Sequence, residues 1–188
     1  MKPILFNTEM VRAILDGRKT VTRRAVKPQP KAALLPMPDS MCWPGCFANA
    51  EEPMVYRPPY KSGDILYVRE TWNGDWCDHY IYKADGGSAK AAGYAAEPKW
   101  RPSIYMPCEA ARLFLRVTDV RVELLQDIDD DGVVAEGLEI GCYFDDLWNN
   151  TIKPSDRALY GWAANPWVWV IEFERISKDE ALGGGGDG

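Results

Sequence analysis

A proline-rich segment constrains the folding of this chain more than any other feature. The chain has 14 prolines in 188 residues, and eight of them fall within residues 27–59. Because proline fixes φ and lacks an amide hydrogen, we expect such a run to prevent both helices and sheet ladders. We therefore predict a loop insertion at about residues 27–62. Loops of this length inside a compact domain are usually functional or disordered, so we interpret the insertion as covering or bordering a site.

The segments around this insertion predict short strands and two small helices. Asn7 or Thr8 is suited to cap a first helix that ends at Gly17, and residues 133–138 form a second one with an aspartate cap. Apolar patterns predict strands at residues 3–6, 65–72, 79–83, 112–123 and 167–173. Because no strand-helix-strand rhythm is present, we expect an α+β domain built on a small mixed or antiparallel β-barrel, with short flanking helices and two long loop insertions.

Composition and length predict one domain in a reducing compartment. We expect a single domain over residues 1–176, with a second, Ala/Gly-rich insertion at about residues 73–99 and a flexible Gly-rich tail, residues 177–188, without packing potential. No apolar run approaches the roughly 18 residues of a membrane span, and the first residues are too polar for a signal peptide. The interpretation is a soluble, cytoplasmic protein that binds no membrane. Its five cysteines are expected to be reduced thiols.

Charge is distributed unevenly along the chain. The formal net charge is −6, yet residues 1–31 carry eight basic and two acidic residues, and residues 123–146 carry nine acidic residues and no basic one. One interpretation is that the fold pairs these segments or leaves them as solvated faces. The other is a local basic mouth that attracts a phosphate-bearing ligand to an otherwise acidic protein.

Several classes of enzyme find no support in the residues. His79 is the only histidine, which excludes a multi-histidine metal site and leaves little basis for a Ser-His-Asp triad. Cys42 and Cys46, with Cys77, His79 or Cys108, give only a weak zinc pattern, so we predict no metal and no cofactor. The chain has no phosphate-cradling loop followed by Lys-Ser/Thr.

The most informative motif follows the first predicted helix. Gly17-Arg18-Lys19-Thr20-Val21-Thr22-Arg23-Arg24 concentrates four bases and two hydroxyls. Its pattern Gly17-x-Lys19-x-x-Thr22-x-Arg24 resembles the signature of the ASCH domain family, whose members are PUA-like β-barrels related to RNA-modification modules. Residues 1–30, 63–72, 100–128, 135–137 and 165–176 resemble the larger ASCH proteins of bacteriophages and prophages. The chain differs from the family pattern in two ways. The common motif has Glu at the position of Thr22, and the smallest members lack both insertions.

This resemblance implies a site and a reaction. The Lys/Thr form of the motif is similar to that of bacterial amidohydrolases that remove the acetyl group of N(4)-acetylcytidine. It implies Lys19, Thr22 and Glu136 as catalytic residues, with Thr22 attacking or orienting water, Lys19 as base if its pKa is depressed, and Glu136 positioning Lys19 or shuttling a proton. In a regular strand Lys19 and Thr22 point to opposite faces, so this site requires a turn or helical end at residues 17–20. For substrate binding we predict Arg18, Arg23, Arg24, Glu70, Trp72 and Arg112.

Other functions stay open at this point. Arg24 and Arg112 could form a structural ion-pair network with Glu70, and the cleft would then bind RNA without reacting. A ribonuclease is a further possibility that the family resemblance permits, intermediate between the amidohydrolase and a module that binds RNA without reacting. A third hypothesis is a phage accessory protein that binds a host protein through its proline-rich insertion. The expected partner is a nucleoside or RNA in a bacterial or phage-infected cell, and the oligomeric state is left open.

Overall fold

The chain folds into short helices and several small sheets. The computed structural model describes residues 1–38, 40, 43–74, 80–86, 99–139 and 143–183. The strands in these ranges are β1 (Lys2–Leu5), β2 (Val21–Ala25), β3 (Leu35–Pro36), β4 (Phe47–Ala48), β5 (Val55–Tyr56), β6 (Ile65–Arg69), β7 (Trp72–Gly74), β8 (Tyr80–Tyr82), β9 (Phe114–Leu124) and β10 (Trp167–Ile176). The α-helices are α1 (Thr8–Leu15), α2 (Asp130–Ala135), α3 (Phe144–Thr151), α4 (Arg157–Tyr160) and α5 (Lys178–Ala181). Short 3-10 helices are Lys83–Asp85, Ser103–Tyr105, Cys108–Ala110, Leu125–Asp127, Pro154–Asp156 and Trp162–Ala164.

The largest sheet is mixed and has five strands. Its hydrogen-bonded order is β1-β6-β9-β10-β2, while β3-β4-β5 and β7-β8 form two smaller sheets. β1 runs parallel to β6, whereas β6 pairs with β9, and β10 with β2, in antiparallel fashion. The α+β class expected from the sequence is therefore confirmed. No helix in the described ranges is both long enough and apolar enough to cross a membrane.

Contacts divide the chain into two compact units. Unit 1 comprises residues 1–19, residues 64–116 and the chain from Glu174 onward, and unit 2 comprises residues 20–63 and 117–173. The long strands β9 and β10 each supply residues to both units. A single domain over residues 1–176 stays a prediction.

Unit 1 has an apolar core next to an amphipathic helix. The Asn7 side chain caps α1 by accepting a 2.8 Å hydrogen bond from the Met10 amide, and Gly17 follows with φ +74°, as the sequence predicts. A hydrophobic cluster collects side chains from β6, β7, β9 and β10; its buried members are Tyr67, Trp72, Met106, Ala110, Ala111, Phe114 and Ile176. This cluster supports the ends of β6 and β7, where Glu70 and Trp72 lie.

Unit 2 has a second core. Its buried members are Val21, Leu125, Phe144, Trp148, Val168 and Val170. The sequence analysis did not predict α3, which contributes Phe144 and Trp148 to this cluster. Their four-residue spacing places both on one helix face, so the pattern was readable in the sequence.

The proline-rich insertion contains more regular structure than predicted. β3, β4 and β5 pair in antiparallel register within it, so the expectation that prolines exclude ladder pairing is wrong here. Pro36 lies in β3, and β3 is an edge strand of this small sheet. Proline is tolerated at an edge because its missing amide hydrogen removes no central ladder bond.

The end of the chain differs from the expected tail in its first residues. Ser177 caps α5 in a reciprocal capping box with Glu180, and Ala181 packs against the unit 1 cluster. The capping box explains this helix, because it satisfies backbone donors that a polar tail would leave to water. In the second predicted insertion, residues 75–79 and 87–98 lie outside the described residues.

Candidate functional site

The turn after α1 carries Lys19. Both the Arg18 and Lys19 amides donate to the Ala13 carbonyl, at 2.8 and 3.0 Å, so residues 17–19 form a helical end and not a strand. This is the local geometry that the motif required. Lys19 is 2% exposed, and its Nζ lies 5.6 Å from the centroid of the Phe6 ring in unit 1.

β2 presents the rest of the motif in unit 2. Its register with β10 pairs Thr22 with Ile171, Arg23 with Val170 and Arg24 with Trp169. Because side chains alternate along a strand, Thr22 and Arg24 share one face and Arg23 points to the other. Thr22 is 3% exposed. The predicted substrate-binding arginines of β2 are thus separated onto different faces.

Arg23 is held in a buried ion-pair cluster. Its Nε and Nη2 donate to Glu123 Oε1 at 2.9 and 2.7 Å, and its Nη1 donates to Glu136 Oε1 at 3.4 Å. A Cβ on Gly132 would lie 2.9 Å from Ile128 Cγ1 and 3.1 Å from Arg23 Nη2, which explains a glycine within α2. The structure therefore pairs the basic N-terminal segment with the acidic segment at this residue. With both carboxylates engaging it, Arg23 is a poor candidate for phosphate binding.

A cavity beside this cluster is acidic. It has a volume of about 310 Å³. The titratable residues that line it are Arg23, Arg121, Glu123, Asp127, Asp129, Asp131 and Glu172. Arg121 is itself bonded to Glu172 and lies 3.6 Å from Glu123. Five carboxylates against two guanidinium groups make this cavity unfavourable for an anionic ligand.

Arg24 occupies the same face of β2 as Thr22. The Arg24 side chain is half-buried. Removal from water lowers the pKa of its guanidinium, while the nearby Tyr60 and Glu136 act in the opposite direction. Tyr60 belongs to the proline-rich insertion, so a residue of the insertion lies near enough to Arg24 to affect its charge.

Glu70 and Arg112 form a second cluster, in unit 1. Arg112 Nε and Nη2 donate to the two carboxylate oxygens of Glu70 at 2.9 and 3.0 Å, and Nη1 lies 2.7 Å from Asp85. Glu70 is 1% exposed, and burial raises the pKa of its carboxyl against the opposing effect of Arg112. For Arg112, burial acts to lower the pKa, but the bonds and charges of Glu70 and Asp85 prevail and raise it. This bidentate pair matches the ion-pair alternative left open for these two residues.

Tyr82 completes this cluster, and Trp72 lies outside it. The Arg112 guanidinium lies 3.9 Å from the centroid of the Tyr82 ring, and the Tyr82 hydroxyl donates to the Ala110 carbonyl at 2.7 Å. Trp72 is 5% exposed and packs against Tyr80 with ring centroids 5.7 Å apart. A tryptophan so enclosed by its own core has little surface left for stacking on a ligand base.

The buried polar residues coincide with the predicted site. In the part of the chain that the structure describes, the buried polar or charged residues are Lys19, Thr22, Arg23, Glu70 and Glu136. All five belong to the predicted catalytic or binding set. The other three arginines of that set are less buried, since Arg24 and Arg112 are half-buried and the exposed Arg18 lies 2.9 Å from Asp16. Lys19 belongs to unit 1, whereas Thr22 and Glu136 belong to unit 2.

Three partners of the site were missed by sequence reasoning. Glu123 was noted only as part of an acidic run. Tyr82 was assigned to a predicted strand and Asp85 to a loop, and neither was given a role. Nothing local distinguishes them, because their partners Arg23 and Arg112 are 100 and about 30 residues away in the chain. A signal for such long-range pairs exists only in the folded chain.

The weak zinc pattern is only partly visible. Cys46 is a buried free thiol and Cys108 a half-buried one, whereas Cys42, Cys77 and His79 lie outside the described residues. Among the residues that are described, no three His, Cys, Asp or Glu side chains are grouped to hold a metal ion.

Comparisons with known proteins give little beyond this geometry. No protein-family model matches the chain, and no curated protein matches it. Among solved structures, it is similar to the crystal structure of protein EF3133 from Enterococcus faecalis, described as family DUF984. The identity is 11%, the TM-score is 0.44, and the match covers 94% of this chain and 82% of the other. A likeness this weak carries no inference about function.

Proposed function

We propose that this protein is an ASCH-type, PUA-like domain that binds a nucleoside or an RNA segment and hydrolyses the acetyl amide of N(4)-acetylcytidine. One observation carries the proposal: Lys19, Thr22 and Glu136, implied as catalytic by the motif, are 2%, 3% and 5% exposed. A buried amine, hydroxyl and carboxylate are expensive to remove from water, and a domain retains such groups where they have partners or a task.

The proposed chemistry needs only these three side chains and water. Hydrolysis adds a hydroxyl to the acetyl carbon and a proton to the base nitrogen, so the amide C–N bond breaks and acetate and cytidine are released. Thr22 attacks the carbonyl carbon or orients the attacking water, and Lys19 accepts the proton that is given up. Glu136 positions Lys19 or passes the proton to the leaving nitrogen.

Local structure supports two of these roles. The turn at residues 17–19 removes the objection that Lys19 and Thr22 belong to one regular strand. Glu136 is the residue that ends α2, and its bond to Arg23 fixes one carboxylate oxygen. A carboxylate held in this way is suited to orient a neighbouring group.

The test compares isosteric variants in one hydrolysis assay. Purified protein is incubated with N(4)-acetylcytidine, and cytidine and acetate are quantified. We expect turnover by the wild-type protein and a loss of about 100-fold or more in Lys19→Met and Thr22→Val, the range for removing an acid-base group. Thr22→Ser retains the hydroxyl and is expected to retain activity. Lys31→Met makes the same change at an exposed lysine and serves as the control.

Folding of each variant is checked by its thermal unfolding midpoint. Hydrolysis that persists in both Lys19→Met and Thr22→Val would refute the assignment of these two residues as catalytic.

The second candidate is a non-catalytic RNA-binding module or a ribonuclease of phage origin. In this alternative Arg112 and Glu70 form a structural ion pair, and the bidentate bond between them supports that part of it. Binding of labelled RNA that weakens steeply with salt, without any release of acetate, supports the module. Shortened RNA in the same mixture supports the ribonuclease.

A further inference from the structure

The proline-rich insertion encloses a cavity of its own. This cavity has a volume of about 310 Å³ and is lined by Trp43, Pro44, Cys46, Arg57, Pro58 and Lys61. A neighbouring cavity of about 220 Å³ shares Cys46, Pro58 and Lys61 with it. Together they form a concave surface whose size reaches the range of small-ligand sites, about 300 to 1,000 Å³.

The charge of the first cavity is opposite to that of the protein. Arg57 and Lys61 line it, and among the residues that the structure describes its lining includes no carboxylate, although Asp119 lines the neighbouring cavity. The chain as a whole carries a net charge of −6, and the cavity beside Arg23 is lined by five carboxylates. A local pair of cations on an acidic protein attracts an anion to this position and not to the acidic cavity.

The cations and the aromatic ring are positioned by contacts. Lys61 Nζ donates to the Pro44 carbonyl at 3.2 Å. Gly45 has φ +70°, and a Cβ there would meet the Lys61 side chain at 3.7 Å, so the lysine lies along this turn. The Arg57 guanidinium lies 4.2 Å from the centroid of the Trp43 ring, and Trp43 is still 44% exposed. The exposed indole thus lies beside both cations.

We propose that this cavity binds a nucleotide, with the base stacked on the Trp43–Arg57 pair and the phosphate bound by Arg57 and Lys61. Indole and guanidinium planes are the surfaces on which unpaired bases stack. Arginine and lysine are the usual partners of phosphate oxygens. The site is independent of the Lys19 motif, and it would give the insertion a binding role whether or not the protein is a hydrolase.

The test is a calorimetric titration with cytidine 5′-monophosphate. We expect the wild-type protein to bind it and Arg57→Ala, Lys61→Ala and Trp43→Ala each to weaken binding by about tenfold or more, because each removes a charged or stacking contact. Trp43→Phe retains a stacking ring and is expected to bind more tightly than Trp43→Ala. Lys31→Ala removes the same charge from the insertion without lining the cavity and is expected to bind like the wild type.

Three further titrations identify the ligand. Cytidine without phosphate is expected to bind weakly, and inorganic phosphate alone is expected to bind weakly as well. An RNA pentamer distinguishes a nucleotide within RNA from a free mononucleotide. Equal affinity for inorganic phosphate and the nucleotide would overturn the stacking assignment, and equal affinity of all variants would overturn the site.

The same preparations separate this inference from the proposed hydrolase. Lys19→Met is expected to bind the nucleotide normally while losing hydrolysis of N(4)-acetylcytidine. If Lys61→Ala binds cytidine 5′-monophosphate as tightly as the wild type does, the nucleotide site is refuted. If hydrolysis still depends on Lys19 in that case, the proposed function stays intact.

Discussion

Buried charges in this protein are compensated by partners from distant segments. Arg23 is compensated by Glu123 and Glu136, and Glu70 is compensated by Arg112. An isolated charge in such positions would cost several kcal/mol, so each cluster is stable only when complete. The motif arginine Arg23 therefore has a structural task that its position in a basic octapeptide does not reveal.

Removing Arg23 is expected to destabilise the protein strongly. Arg23→Met removes the guanidinium that bonds the carboxylates of Glu123 and Glu136, and breaking a buried pair in this way costs about 3 to 5 kcal/mol. Arg121 also contacts Glu123, but its side chain is 43% exposed. Arg121→Met is therefore expected to cost less than about 1 kcal/mol. Urea unfolding of both variants measures the difference, and equal losses would contradict it.

Tyr82 is expected to ionise late. Burial, as the main cause, raises its pKa to about 12, with Arg112 acting in the opposite direction. Because the folded-state pKa lies above the unfolded value, the stability from Tyr82 is present below pH 10 and is lost as the pH rises through about 12. Ultraviolet titration of the phenolate should show a late step that disappears in Tyr82→Phe. A titration curve unchanged in this variant would refute the assignment.

At the scale of elements, boundaries follow local capping chemistry where the cap residues are present. Asn7 begins α1, Asp129 begins α2 and Ser177 begins α5, each by accepting a backbone hydrogen bond. For α1 the sequence analysis left the cap open between Asn7 and Thr8. For the second helix it predicted an aspartate cap but placed the helix at residues 133–138, three residues too late. The third was missed because the glycines that follow dominate the composition of the tail, although Ser177-x-x-Glu180 is a readable capping box.

The cap of α1 is expected to contribute measurably. Asn7→Ala removes the acceptor of the Met10 amide, and the loss of such a cap costs about 1 kcal/mol. Asn7→Asp retains an acceptor and is expected to be close to the wild type. Thermal unfolding midpoints of the three proteins give the comparison, and an unchanged midpoint in Asn7→Ala would show that the cap is not needed.

At the scale of the whole molecule, the sheet connects segments that are far apart in the chain. Unit 1 and unit 2 each collect discontinuous segments, and β9 and β10 contribute residues to both. Neither unit corresponds to a continuous stretch of sequence. Each of the two units therefore depends for its stability on strands of which it contains only a part.

We expect the protein to unfold in one cooperative step. Because β9 and β10 are each divided between the two units, neither strand stays complete when one unit unfolds. Tryptophan fluorescence and far-ultraviolet circular dichroism should then give the same midpoint in urea. Two separated transitions would contradict this expectation.

The sequence by itself determined the α+β class, the limits of α1 and the approximate positions of four of the five strands of the main sheet. It did not predict β2, and it made the turn that carries Lys19 possible through Gly17 without requiring it. These features depend on period, capping residues and glycine, whose effects act within a few neighbours. It also singled out all five buried polar residues of the described chain, from motif and resemblance.

Only the tertiary structure decided which of these residues bind each other. It assigned Arg23 to Glu123 and Glu136, Arg112 to Glu70 and Asp85, and it gave the proline-rich insertion a sheet and a cationic cavity. Ion pairs and cavities join side chains that are tens of residues apart. The energy of an ion pair depends on the distance between its charges and on the exclusion of water from them, and both are defined only in the folded chain.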